Sequence, residues 1–151
     1  MIEKDRVSFD QPDLRLDCGA CPLREYAIDG TRTTTLDAFF TEFGDMVLSG
    51  ERWGRNLNAF NDVLRGGFGT PEGGFVLRWR HSAAAKEALG YAETVRCLER
   101  ARANNPDHYA RELADARQGA GPTVFDWLVE IIAVHGPGGE EAEDNVRLIL
   151  D

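Results

Sequence analysis

Apolar residues along this chain fall into short stretches of two different periods, separated by glycine- and proline-rich punctuation. From Leu23 to Ile28 apolar and polar positions alternate and then meet the turn pair Asp29-Gly30, which predicts a first strand. Leu36, Phe39, Phe40, Phe43, Met46 and Val47 recur at helical spacing, so the next segment is an amphipathic helix. Thr34 or Thr35 is placed to cap it, since a hydroxyl accepts from the free amides of a first turn, and Ser49-Gly50 ends it. A second, shorter helix is predicted from Gly54 to Arg65. Leu57, Phe60, Val63 and Leu64 share one face of it, while Asn58, Asn61, Asp62 and Arg65 fall elsewhere. Gly66-Gly67 supplies a left-handed stop, and Phe75 to Trp79 reads as a second strand.

Residues 82–118 are helical in tone. They run as Ala83 to Leu89, Tyr91 to Ala103, a break at Asn104-Asn105-Pro106, and Asp107 to Arg117. Pro122 suits the first position of another helix, where its missing amide has no partner to lose. Val124, Phe125, Leu128, Val129, Ile131 and Ile132 build that helix, which ends near His135-Gly136-Pro137. An acidic loop, Gly138 to Asp144, precedes a third strand from Val146 to Leu150. Three short strands separated by helices imply an α/β fold with a small three-stranded parallel sheet, right-handed crossovers and helices mainly on one side. Residues 1–22 show no period and read as a lead-in to a single domain over 23–151.

The 151 residues are enough for a core without disulfide staples, and the 42% hydrophobic and 28% charged balance is that of an ordinary globular chain. No apolar run approaches the ~18 residues of a spanning helix. The start, Met1 to Arg6, lacks the apolar stretch of a secretory signal, so a cytoplasmic location is expected. A net charge of −9 disfavours phosphate backbones and membrane surfaces and steers the chain toward a basic protein partner. Cys18-Gly-Ala-Cys21 invites a redox or metal reading. However, a redox dithiol belongs at a helix start after a strand, and a zinc knuckle needs spacing that Cys97, His81, His108 and His135 do not provide. No cofactor or metal is therefore expected, and a Cys18/Cys21 thiol or metal protein is the less favoured alternative. No Ser-His-Asp set or nucleotide fingerprint occurs at meaningful spacing, and Gly66-Gly67-Phe68-Gly69 is not framed by a strand and a helix, so an enzyme is disfavoured.

The stretch Trp53-Gly54-Arg55-Asn56-Leu57-Asn58-Ala59-Phe60-Asn61-Asp62-Val63-Leu64 resembles the aromatic-Gly-x-Asn-apolar-x-Ala-apolar-x-Asp-x-Leu signature of the barstar family. Its flanks agree: a strand ending in Asp29-Gly30 and an aromatic-bearing helix precede it, and a strand ending in Trp79 follows. The resemblance covers residues 23–80 and 123–151; residues 81–122 form an enlarged helical insertion relative to the smallest members.

The resemblance implies a non-catalytic inhibitor that places a helix and its preceding loop in the active site of a secreted, guanyl-specific microbial ribonuclease. A carboxylate there stands in for the substrate phosphate and pairs with the arginines and lysines of a basic extracellular enzyme. Carried over by position, Asp62 matches the dominant acidic anchor and Glu130 a second acidic contact. Trp53 and Gly54 match the loop, and Gly66 the small residue past the helix end. Asn56 fits either a partner contact or a helix cap. Trp53 suits core packing equally well, and Trp79 and Trp127 read as core.

Three positions depart from the pattern. Asn58 stands where the family often has an acid, Arg52 replaces an aromatic contact, and Arg65 replaces a small polar residue. These departures leave open a barstar-like immunity protein against a toxin that is not a ribonuclease.

Overall fold

Tyr26 and Ile28 are buried while Glu25 is exposed and Ala27 half-buried, and this alternation builds β1 (Arg24–Asp29). The structure, a computed structural model, describes residues 23–50, 53–66, 69–71 and 73–151. The lead-in, the Cys18/Cys21 pair, Arg52 and Gly67 lie outside the described residues. β2 (Phe75–Arg80) is the central strand, with Phe75, Leu77 and Trp79 wholly buried, and β3 (Val146–Leu150) flanks it. The order is β1-β2-β3 and both pairs are parallel, with Ile28 opposite Trp79 and Trp79 opposite Leu150. Parallel neighbours need long crossovers, and helices supply them. α1 (Leu36–Val47) and α2 (Leu57–Leu64) connect β1 to β2; α3 (Ser82–Ala88), α4 (Tyr91–Asn104), α5 (Ala110–Arg117) and α6 (Val124–Val134) connect β2 to β3. The expected α/β fold with a three-stranded parallel sheet is what the chain adopts.

An aromatic cluster fixes α1 and α2 to the sheet. Phe60 of α2 meets Phe39 and Phe43 of α1 edge-to-face, with centroids 5.3 and 5.0 Å apart, and Phe39 lies 5.1 Å from Trp79. Edge-to-face contact sets the positive rim of one ring against the negative face of another, so it orients as well as buries. With Phe60, Val63 and Leu64 inward, helical geometry leaves Asn58, Asp62 and Arg65 outward. A smaller cluster of Leu98, Leu113 and Ala116 holds α5 against α4, and Trp127 packs half-buried against both clusters rather than wholly inside the core.

Several boundaries differ from the expectation for local backbone reasons. α2 begins at Leu57 rather than Gly54, because Arg55 sits in the left-handed region (φ 54°) and Asn56 is extended, its Oδ1 accepting from the Ala59 amide at 2.8 Å. α5 begins at Ala110 rather than Asp107, since Tyr109 is also left-handed (φ 69°). Pro122 stands one residue before the cap of α6. Thr123 is that cap, and it exchanges hydrogen bonds with Asp126 in a reciprocal capping box. Met46, placed on the apolar face of α1 by spacing, is exposed.

The α4–α5 pair is tied into the body by two polar contacts of α4. Glu93 of α4 accepts from the Leu36 amide at 2.8 Å, and the Thr94 hydroxyl accepts from the Val124 amide at 2.9 Å. The first turns of α1 and α6, whose amides lack intrahelical partners, are thus completed by α4.

Candidate partner-binding surface

Asp62 stands on the outer face of α2 with its side chain 57% exposed. One turn later Arg65 donates from Nη1 to Asp62 Oδ1 at 2.9 Å, and from Nε and Nη2 to the two Glu141 oxygens at 2.8 and 3.3 Å. The Arg65 hydrogen bond holds the Glu141 carboxyl below its ordinary range. Exposed pairs of this kind add little to stability. What they set is position: the guanidinium spans from Asp62 on α2 to the loop after α6.

Beneath this pair lies His135, the wholly buried cap residue of α6. Its Nε2 is 2.6 Å from Asn61 Oδ1, and its Nδ1 is 2.7 Å from Asp144 Oδ2. α2 is therefore held on its apolar side by Phe60 and beside it by Asn61. From the sequence, His135 is placed at a helix end and set aside as a zinc ligand on spacing, and its contact with Asn61 is not found. The available signal was a histidine leading into a glycine-rich, acidic loop. His135, Glu141 and Asp144 carry ligand-type atoms within 4.8 Å of one another. Their charges are met internally, Glu141 by Arg65 and Asp144 by the imidazole.

The loop before α2 is shaped by close packing. Trp53 is half-buried, with its ring 5.4 Å from Phe40 and 5.8 Å from Phe43, and a Cβ on Gly44 would lie 2.8 Å from its indole nitrogen. A Cβ on Gly54 would meet the Ala59 methyl at 2.7 Å, so only glycine lets the loop fold against the first turn of α2. Gly66 leaves the helix with φ 90°. Asn56 acts as the cap; it also lines a cleft with Asn58 and Glu130.

That cleft has a volume of about 820 Å³ and lies between the start of α2, α1, the α4–α5 pair and α6, floored by Leu36, Phe40, Leu57, Trp127 and Ile131. The sequence-derived residues thus separate into three groups: Asn56, Asn58 and Glu130 along the cleft, Trp53 and Gly54 in the loop before α2, and Asp62, Arg65 and Gly66 at the far end of α2. The thiol nearest the cleft offers no chemistry. Burial, with the Glu93 carboxylate beside it, pushes Cys97 up to about 12, which keeps it protonated.

The family described as Barstar (barnase inhibitor) matches residues 23–118, well over half of the sequence. The chain belongs to the Barstar family. The match runs from β1 through α5, so it takes in α2 and residues 81–118, which the resemblance alone left out, and it stops short of Glu130 and of residues 123–151. Barstar-family proteins are inhibitors rather than enzymes, and their partner is a protein. No curated protein matches the chain. Among the described residues, no helix of this Barstar-family chain is long and apolar enough to cross a membrane.

Proposed function

We propose that this protein is an intracellular inhibitor that blocks the active site of a secreted, guanyl-specific microbial ribonuclease with the outer face of α2 and the loop before it. One observation carries the reading: the Asp62 carboxylate is mostly exposed on a helix whose neighbouring residues, Phe60 and Asn61, are anchored in the core and on His135.

A ribonuclease must hold cations where the substrate phosphate sits. A carboxylate presented there replaces the phosphate through charge-assisted hydrogen bonds. A helix fixed in advance loses little further freedom on binding. The net charge of −9 draws the two proteins together. Once enclosed, a carboxylate is favourable only if its oxygens are fully engaged, so the enzyme's cations must replace Arg65 at Asp62. Arg65 already has Glu141 to retain it. Trp53 and Gly54 shape the loop that abuts the enzyme, Asn58 and Glu130 flank the contact, and Gly66 lets the enzyme's backbone approach.

Titrating barnase activity with the purified protein tests this. Stoichiometric inhibition by wild type and its loss in Asp62→Ala are the expected results; full ribonuclease activity in the presence of excess wild type would sink the reading. Arg65, 2.9 Å from Asp62, favours a second reading, immunity against a basic toxin of another chemistry whose cleft also offers an acid. Protection of cells expressing such a toxin, with barnase untouched, would select it.

A further inference from the structure

We infer that the cleft between the start of α2 and the α4–α5 pair is a second docking surface, taking an apolar side chain flanked by a basic group on a surface loop of the enzyme that Asp62 engages. This rests on the inhibitor reading above and extends it to the surface that α4 and α5 form beside α2.

The cleft is built jointly. Leu57, Trp127 and Ile131 supply an apolar floor, and Leu98 and Ala101 of α4 with Glu112 of α5 raise the wall opposite α2. At about 820 Å³ it is in the range that encloses a large side chain and its neighbours.

Its charges select the occupant. Of the two arginines on the rim, Arg100 is paired with the Asp37 oxygens at 3.2 and 3.4 Å, whereas Arg55 donates to the neutral Thr41 hydroxyl and keeps its charge. Glu112 and Glu130 are exposed, and among the described residues neither has an ion-pair or hydrogen-bond partner. With Asp37, Glu112 and Glu130 set against Arg55 and Arg100, the lining keeps one net negative charge over an apolar floor, which suits an aromatic or aliphatic side chain next to a single lysine or arginine. A second copy of this chain is a poor occupant, because two molecules of charge −9 would bring acid against acid.

Two further observations support a binding role for this surface. Asn56 and Asn58 of α2 border it, so it is continuous with the face that carries Asp62. Arg55 and Tyr109, on its two edges, are non-glycine residues held at positive φ, and Tyr109 is 44% exposed. Such backbone states cluster at functional sites.

The test uses two probes on the whole chain. Tryptamine, an indole bearing a cation, is titrated to millimolar concentration against wild type and the E112K/E130K double variant, with amide and indole chemical shifts as the readout. Both glutamates are exposed, and matched melting temperatures confirm an intact fold. Wild type should show shifts at Tyr109, Glu112 and the Trp127 indole, and the variant should lose them. The same variant should bind barnase at least about tenfold more weakly than wild type at low salt. Absence of tryptamine shifts in wild type overturns the inference, as does a variant that matches wild type on barnase while Asp62→Ala fails. A concentration-dependent dimer abolished by E112K/E130K also overturns it, by giving the cleft to a second copy. Barnase left uninhibited by wild type, with the tryptamine shifts present, removes the inhibitor reading and leaves the cleft as a site for a cationic, apolar ligand.

Discussion

His135 and Asn61, 74 positions apart in sequence, are joined by a 2.6 Å contact between Nε2 and Oδ1, and the other ring nitrogen faces Asp144. The imidazole links the residue next to Asp62 with the C-terminus of α6 and the loop that holds Glu141. Each partner is partly shielded from water, so its hydrogen bonds are hard to replace.

His135→Ala removes both contacts and leaves a void where a ring was. Loss of about 3–5 kcal/mol in urea unfolding is expected from the combined cavity and polar terms. Asn61→Ala breaks one contact and keeps the ring in place, so about 1–2 kcal/mol is expected there. Equal costs for the two variants would mean that Asn61, and with it α2, is not what the imidazole secures.

How much of this could be read from the sequence depends on the range of the contact. β1 and β2 were legible because alternation encodes a half-buried strand locally. The outward face of α2 was legible because Leu57, Phe60, Val63 and Leu64 leave only one side for Asp62. Arg55 and Tyr109 were not, since neither residue type announces positive φ as glycine does, and so the starts of α2 and α5 were misplaced. The pairing of Asn61 with His135, and of Arg65 with Glu141, is set by how α6 packs on α2, which no local pattern records. The cleft was hidden for the same reason: it exists only once α4 and α5 are laid beside α1.

Glu93 makes stability depend on acid pH. Burial works to raise its carboxyl, but hydrogen bonds from Arg96 and the Leu36 amide outweigh burial and bring it below its ordinary 4.5. A carboxyl depressed in the folded state stabilises above its unfolded value and loses that contribution as pH falls through the folded one. Glu93→Gln should therefore cost about 1–2 kcal/mol at pH 7. The gap to wild type should close as denaturation is measured at progressively lower pH, beginning near 4.5. A gap that stays constant down to pH 2 would show that the charge on Glu93 does not matter.

Cys97 titrates in the opposite sense. Its thiol is pushed from 9.0 up to about 12, by burial first and then by the neighbouring Glu93. In a Cys18→Ser/Cys21→Ser background, native protein at pH 8 should react with iodoacetamide far more slowly than unfolded protein does. Because the folded value is the higher one, Cys97 favours the native state below about pH 9 and that advantage disappears between pH 9 and 12. Rapid alkylation of the native thiol would contradict its burial on α4.

Arg65 and Asp62 should separate the two halves of partner binding. Arg65 lies 2.9 Å from Asp62 and is exposed, so it opposes the approach of a basic cleft while it remains secured by Glu141. Removing it makes the surface more negative by one charge. Arg65→Ala should therefore speed association with barnase about two- to threefold at low ionic strength, and the gain should fade as salt shortens the screening length to about 8 Å near 0.15 M. Dissociation should change little, because the guanidinium is already bound to Glu141 once Asp62 is engaged. Asp62→Ala acts on the other limb: it leaves the enzyme's cations enclosed without a counter-charge, and dissociation should accelerate about a hundredfold or more. Stopped-flow mixing over a salt series reads both limbs. An Arg65→Ala variant that dissociates as fast as Asp62→Ala would make Arg65 a direct anchor and reverse the roles given to the pair.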